Sequence, residues 1–69
     1  MSDYSVFIIW SKEDGAFLAK VPELPGCIAD GSSREEALAN VMFAMQNWLE
    51  TARELGREIP EPWVELMES

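Results

Sequence analysis

The chain has no histidine, one cysteine and only five basic residues among its 69 residues. Because histidine is the commonest general acid–base side chain, its absence removes the usual route to acid–base catalysis. One thiol without histidine cannot supply a structural zinc site, and the lone Cys27 cannot form an intramolecular disulfide. A chain this short buries only about 60% of the surface that it exposes when unfolded. We therefore expect stabilisation by oligomerisation or by unusually good packing.

Basic residues are outnumbered by 13 acidic residues, which gives a net charge of −8. The bases are scattered along the chain as Lys12, Lys20, Arg34, Arg53 and Arg57. Proteins that bind nucleic acid neutralise phosphates with clustered lysine and arginine, so the sequence predicts no direct contact with DNA or RNA. An acidic surface suits either the attraction of a basic partner or simple solubility, and both interpretations stay open.

Long apolar runs are also absent. No stretch reaches the roughly 20 apolar residues that a membrane-spanning helix requires. The polar start, Met1-Ser2-Asp3, is unlike a signal peptide. A single cysteine beside four methionines fits a reducing compartment. The sequence predicts a cytoplasmic protein without a membrane segment.

The first half of the chain has the composition of strands. Residues 4–11 are rich in aromatic and β-branched side chains, and both alternating sets contain apolar residues, so both faces need cover. Asp14-Gly15 predicts a hairpin turn, because both residues tolerate positive φ, and a second strand follows over 16–21. A proline then ends this strand, and a short third strand is predicted over 27–30.

A long helix is predicted over residues 34–55, which contain no proline or glycine. Ser33 is the preferred N-cap, with Glu36 three residues on, and the same pairing is offered one residue earlier. Gly56 stands where a C-cap glycine belongs. The main apolar row consists of Leu38, Val41, Met42, Met45, Leu49 and Ala52. A second row consists of Ala37, Ala44, Trp48 and Leu55.

These elements predict an α+β fold, with a three-stranded antiparallel sheet followed by one long helix, in a single domain over 1–69. Within the tail, 63–69, the segment 63–67 fits a short last strand or a frayed turn. Because one helix covers one face of the sheet, the other face keeps an apolar patch, which monomers seldom expose. A second copy or a different protein is expected to cover it. The candidate interface residues, depending on which face the helix leaves open, are Phe7, Ile9, Trp10, Phe17 and Leu18.

The segment 21–27 contains more proline than a plain connection between adjacent strands needs. A rigid loop loses little entropy on binding, so one interpretation is a docking edge that presents an exposed leucine. The other is a β-bulge or wide turn required by the topology. The partner-binding candidates in this loop are Glu23, Leu24, Pro25 and Gly26.

No motif for catalysis or for cofactor binding stands out. The acids of the helix fit a solvated face, and Cys27, without a histidine base, fits a small buried hydrophobe. The four glycines occupy turns or caps instead of a phosphate-binding loop. We therefore expect no enzyme activity, no metal and no cofactor.

Several segments of the chain form a specific combination. It runs from Trp10-Ser11-x-Glu13-Asp14-Gly15 through Val21-Pro22-Glu23-Leu24-Pro25-Gly26-Cys27 to Ser33-x-Glu35-Glu36-Ala37-Leu38, and again from Trp48-Leu49-Glu50 to Ile59-Pro60-x-Pro62. Over about residues 4–62, this combination resembles the HicB family of antitoxins. The central Pro-Glu-Leu-Pro-Gly-Cys run followed by Glu-Glu-Ala is specific when taken together.

The resemblance implies a β-β-β-α core of partial RNase H-like fold, without a working RNase H active site. It also implies self-association, as a dimer or tetramer, and binding of HicA, a small basic ribonuclease toxin whose active site the antitoxin blocks. Family members commonly add a DNA-binding module, which the seven residues after Pro62 cannot form, so operator binding is not expected. The alternatives are an orphan oligomeric scaffold with no toxin partner and a degenerate, metal-dependent RNase H-like nuclease.

Overall fold

The computed structural model describes residues 4–63. Its elements are, in chain order, β1 (Phe7–Ser11), β2 (Ala16–Lys20), β3 (Ile28–Gly31) and α1 (Arg34–Glu54). The strands form one antiparallel sheet in the order β1-β2-β3. The predicted α+β fold, three antiparallel strands followed by one long helix, is confirmed. The last strand or turn predicted at 63–67 lies outside the described residues, apart from its first residue.

A turn over residues 12–15 joins β1 to β2, whose terminal residues Ser11 and Ala16 are paired. The Gly15 amide donates to the Ser11 carbonyl at 2.9 Å. The Ser11 hydroxyl accepts from the Asp14 amide at 3.2 Å and donates to the Asp14 carboxylate at 2.9 Å. Gly15 has a φ of +63°, whereas Asp14 has a negative φ. The predicted hairpin is therefore present, but positive φ is needed only at the glycine.

Both ends of α1 are capped as the sequence predicts. Ser33 is the N-cap, and its hydroxyl accepts from the Glu36 amide at 3.1 Å. The Glu36 carboxylate in turn accepts from the amide and hydroxyl of Ser32, so both serines take part. At the other end Gly56 has a φ of +72°, and the amide of Arg57 donates to the Ala52 carbonyl at 2.8 Å. This pattern is a Schellman motif.

The helix packs on one face of the sheet through side chains of mixed size. The buried core joins Ala19, Val21, Leu24 and Cys27 of the sheet and its loop to Ala37, Val41 and Met45 of α1. The predicted main row of the helix is wrong in part, because Leu38 and Met42 are exposed. At the start of α1 the small Ala37 faces the sheet, since a Cβ at Gly31 of β3 would lie only 2.5 Å from the Ala37 nitrogen. Leu55, from the second row, is also exposed.

Candidate functional site

The sheet face opposite α1 carries a row of large apolar side chains. Phe7 and Ile9 of β1 are 55% and 53% exposed, and Ile28 of β3 is also exposed. Leu18 of β2 lies between the outer strands, paired with Ile9 on one side. These four residues, which we call the open sheet face, share one side because side chains alternate along each strand. None of them belongs to the core cluster or to the hydrophobics packed against it.

Two charged residues lie among these apolar side chains. Lys20 is paired with Phe7 on one side and with Ile28 on the other. Asp30 is paired with Leu18. Both charged residues are exposed. One base and one acid leave this face nearly neutral, in a chain whose net charge is −8.

The structure separates the five interface candidates into two groups. Phe7, Ile9 and Leu18 meet on the open sheet face, whereas Trp10 and Phe17 lie on the side that α1 covers. The Trp10 and Phe17 rings pack edge to face with centroids 5.0 Å apart, and Arg34 lies 4.9 Å above the Phe17 ring. Trp10 and Phe17 therefore belong to the hairpin and the start of the helix. They do not share a surface with the other three.

The loop between β2 and β3 is folded into two successive turns. The Leu24 amide donates to the Val21 carbonyl, and the Cys27 amide donates to the Leu24 carbonyl, each at 3.0 Å. Gly26 supplies the φ of +81° that the second turn needs. The Val21 amide closes the loop by donating to the Cys27 carbonyl at 3.0 Å. The prolines therefore specify a rigid double turn that extends the β2–β3 ladder by one pair.

The expectation that Leu24 is exposed is wrong. Its side chain is 1% exposed and is one of the largest fully buried side chains. The double turn points it into the core, where it packs with Val21 and Val41. Leu24 is therefore not available to a partner while the domain is folded.

Glu23 is also buried, at 5% exposure. Its carboxylate accepts from the Ser5 amide and hydroxyl and from the Trp63 amide, at 2.9–3.1 Å. Burial by itself raises the pKa of Glu23, but the hydrogen bonds from the Trp63 and Ser5 amides outweigh it and lower the pKa. The Glu23 carboxylate is therefore charged, its oxygens are hydrogen-bonded, and its role is structural. A direct role for it in contacting a partner does not fit this geometry.

The remaining two candidates of the loop, Pro25 and Gly26, are exposed. The Trp48 indole N–H donates to the Pro25 carbonyl at 2.8 Å and so attaches the loop to α1. A shallow depression on the molecular surface is lined by both residues and by Lys20 and Ile28. The exposed part of the loop therefore borders the open sheet face.

Sequence reasoning missed two exposed apolar residues, Ile28 and Phe43. Ile28 is the first residue of β3 and follows Cys27. Because neighbouring residues of an extended chain point to opposite sides, assigning Cys27 to the core would have placed Ile28 on the open sheet face. Phe43 is 68% exposed on α1 and belongs to neither predicted row of the helix. Phe43 lies on the opposite side of α1 from Ala37 and Val41. Its exposure was therefore predictable once those two residues were assigned to the core.

Three further features of residues 4–63 concern metal binding, thiol reactivity and membrane insertion. No group of three histidine, cysteine, aspartate or glutamate side chains there is placed to hold a metal ion. Cys27 is buried, and burial raises the pKa of its thiol, which opposes nucleophilic reactivity. No helix in this part of the chain is long and apolar enough to cross a membrane.

A search against known families gives one clear match. Residues 4–68 match the family described as "HicB_like antitoxin of bacterial toxin-antitoxin system". This chain belongs to the HicB-like antitoxin family. The match spans the sheet, the double turn and α1, so the resemblance seen in the sequence is confirmed. Membership of this family indicates the role of an antitoxin, which is non-enzymatic, with a toxin as its partner.

Relatives of this HicB-like chain come from both archaea and bacteria. A UPF0150 protein of Thermoplasma acidophilum is 38% identical over 53 residues, which are 77% of each chain. A UPF0150 protein of Synechocystis is 38% identical over 53 residues, which cover 77% of this chain and 73% of that one. A UPF0150 protein of Archaeoglobus fulgidus is 37% identical over 46 residues, 67% of each chain. No solved structure matches this chain significantly.

Proposed function

We propose that this HicB-like protein is a cytoplasmic antitoxin that sequesters a small basic HicA-type ribonuclease by protein–protein contact and blocks its active site. The family match over residues 4–68 carries the proposal. The net charge of −8 supports it, because an acidic surface attracts a basic partner and raises the rate of association more than the final affinity.

The open sheet face is the surface that we assign to the toxin. Phe7, Ile9, Leu18 and Ile28 offer a contiguous apolar area with little charge of its own, and burial of such an area supplies affinity. The acids elsewhere on the surface supply the attraction at longer range. Affinity and steering thus come from different parts of the molecule.

The exposed part of the double turn extends this surface. Pro25 and Gly26 border Lys20 and Ile28 in a shared depression. The internal hydrogen bonds of the loop and the bond from Trp48 already fix its shape, so little conformational entropy remains to be lost on binding. We therefore include Pro25 and Gly26 in the proposed contact with the toxin.

The test combines the purified protein with a HicA-type ribonuclease encoded beside it in the same genome. We expect a stable complex and loss of RNA cleavage by the toxin when the two are mixed in equal amounts. Ile9→Asp places a charge on the open sheet face beside Leu18, so it is expected to weaken the complex by at least about tenfold. Phe43→Ser, on the outer side of α1, is the matched control and should leave toxin binding unchanged.

Other outcomes would contradict the proposal. If no such ribonuclease is encoded nearby, or if RNA cleavage continues at full rate in the mixture, an orphan oligomeric scaffold is the better account. If the purified chain itself cleaves RNA in magnesium or manganese, the protein is a nuclease. If Ile9→Asp folds and binds as the wild type does, the toxin contacts another surface.

A further inference from the structure

Asp30 is the only acid in the three strands of the sheet. It is paired with Leu18, so its side chain lies on the open sheet face together with those of Leu18 and Ile28. Aspartate is one of the residues that strands disfavour, and the apolar side chains beside it offer no hydrogen bond. The packing of the sheet therefore does not account for an acid at this position.

A shallow depression on the open sheet face combines this acid with apolar walls. It is lined by Leu18, Ile28, Ala29 and Asp30. Asp30 and Ile28 are both exposed. A lysine or arginine side chain has the complementary construction, because its aliphatic stem packs along apolar surface while its head keeps the charge. The depression is therefore suited to one basic side chain of a partner.

The backbone at Asp30 is fixed on both sides. On one side β3 pairs with β2, and on the other the Asn40 side-chain amide donates to the Asp30 carbonyl at 2.7 Å. This second bond joins the outer edge of β3 to α1. The Asp30 carboxylate is therefore presented from a rigid backbone, and little conformational entropy of the chain is lost when a partner binds it.

Lys20 is the other charged residue of the open sheet face. It is paired with Ile28, so Lys20 and Asp30 are diagonal neighbours, with Cα atoms roughly 7–8 Å apart. Both side chains are exposed, and water screens the attraction between exposed charges. Lys20 therefore reduces the negative potential at Asp30 but does not shield its carboxylate from a partner.

We propose that Asp30 pairs with a lysine or arginine side chain of the toxin, whose aliphatic stem packs against Leu18 and Ile28. This assignment rests on the proposed function. A ribonuclease neutralises the phosphates of RNA with lysine and arginine side chains, so the surface that an antitoxin must block carries such groups. Binding removes water from the pair, and a hydrogen-bonded charge pair that is buried in an interface slows dissociation of the complex.

The test measures the association and dissociation rate constants of the full chain with the HicA-type ribonuclease by surface plasmon resonance. Asp30→Asn is compared with Glu50→Gln, and each substitution removes one negative charge from the net charge of −8. Glu50 is exposed and follows the buried Val41 by nine residues, which is two and a half turns at about 3.6 residues per turn. Glu50 therefore lies on the side of α1 away from the sheet.

We expect Asp30→Asn to raise the dissociation rate constant by about tenfold or more, because the toxin's buried cation loses its partner. Glu50→Gln should leave the dissociation rate constant unchanged and lower the association rate constant by less than about twofold, since a distant charge contributes only to steering. Circular dichroism verifies that both variants are folded. An equal change in both variants would report the loss of net charge alone and would overturn the assignment.

Two other outcomes separate this assignment from the proposed function. If the wild type binds the ribonuclease and Asp30→Asn dissociates at the wild-type rate, only the role of Asp30 is overturned. If the wild type does not bind the ribonuclease, the proposed function fails and the role of Asp30 fails with it. Because β3 is an edge strand, a charge there also opposes pairing with other sheets. Aggregation of Asp30→Asn, seen by light scattering, together with an unchanged dissociation rate would leave edge protection as the role of Asp30.

Discussion

The Glu23 carboxylate accepts a hydrogen bond from the Trp63 amide at 3.0 Å, across 40 residues of sequence. The same carboxylate binds the amide and hydroxyl of Ser5. Nearby, the Tyr4 hydroxyl donates to the Pro60 carbonyl. The double turn therefore holds the segment before β1 and the segment after α1 together. Glu23 stabilises the domain as a structural residue.

Glu23→Gln is expected to lower the free energy of unfolding by about 1.5–3 kcal/mol at pH 7, the range for hydrogen bonds to charged groups. Glutamine has an NH2 group in place of one carboxylate oxygen. This group cannot accept the hydrogen bonds that Ser5 and Trp63 donate to Glu23. Urea denaturation followed by tryptophan fluorescence measures the change. Glu36→Gln, at an exposed carboxylate bound by Ser32, is the control. An equal loss of stability in the two variants would show that the burial of Glu23 contributes nothing.

The lowered pKa of Glu23 also predicts the pH dependence of stability. A carboxylate whose pKa is lower in the folded state contributes its full stabilisation above the unfolded-state pKa of about 4.3, and loses it as the pH falls through the folded-state pKa. The free energy of unfolding of the wild type should therefore decline below about pH 4.5. Glu23→Gln should decline less steeply over the same range, and parallel curves would contradict the assignment.

Leu24→Ala is expected to cost about 2–5 kcal/mol, as truncation of a buried leucine usually does. Leu24→Asp would bury an unpaired charge and should leave the chain unfolded at 25 °C. Leu55→Ala removes the same atoms from an exposed leucine and should change stability by less than about 1 kcal/mol. Equal losses in the two alanine variants, measured by urea denaturation, would show that Leu24 is not a core residue in solution.

Local signals account for the features that were predicted correctly. Ser33 and Gly56 mark the ends of α1 because capping depends on hydrogen bonds within a few residues of each. The hairpin at Gly15 was predictable for the same reason. The open sheet face was predictable because the first strand has apolar residues on both sides. One helix covers only one of these sides.

The burial of Leu24 was not predictable from its neighbours, because two flanking prolines are equally typical of an exposed loop. Its position depends on the Val21–Cys27 pairing and on the bond from Trp48 to Pro25, which joins residues 23 positions apart. The rotation of α1 depends likewise on packing between two elements, the close approach of the Ala37 backbone to Gly31 of β3. The burial of Leu24 and the rotation of α1 both depend on tertiary packing, which local sequence patterns do not report.

Gly31→Ala is expected to destabilise the domain by about 1–3 kcal/mol, the usual cost of overpacking. A Cβ at this position would lie 2.5 Å from the Ala37 nitrogen and 2.8 Å from the Glu36 carbonyl carbon, both backbone atoms of α1. The helix would have to move away from β3. A Cβ at Gly15 meets nothing within 4 Å, although its φ is +63°. Gly15→Ala therefore measures the backbone strain alone.

Comparison of the two alanine variants decides whether steric contact is the cause. Thermal unfolding should give a lower Tm for both, since a positive φ also costs about 1 kcal/mol with a side chain. Only Gly31→Ala should alter the packing of α1, which the fluorescence of Trp48 reports once Trp10 and Trp63 are replaced by phenylalanine in both variants and in the reference protein. A Gly31→Ala protein with unchanged fluorescence and unchanged Tm would contradict the close approach.

Trp48→Phe tests whether the indole N–H fixes the double turn. Phenylalanine keeps an aromatic ring at this position but removes the donor to the Pro25 carbonyl, so the expected loss of stability is about 0.5–1.5 kcal/mol. The loop should also open more often. Amide hydrogen exchange measures this opening at Cys27, whose N–H donates to the Leu24 carbonyl across the second turn.

The hairpin amide of Gly15, bonded to the Ser11 carbonyl, is the internal control for that experiment. If Trp48 acts on the loop alone, exchange at Cys27 should become faster while exchange at Gly15 stays as in the wild type. Equal acceleration at both amides would instead mean that the substitution weakens the whole domain. Because Pro25 and Gly26 belong to the proposed toxin contact, a selective effect at Cys27 should be accompanied by weaker toxin binding, since a more mobile loop loses more entropy on association.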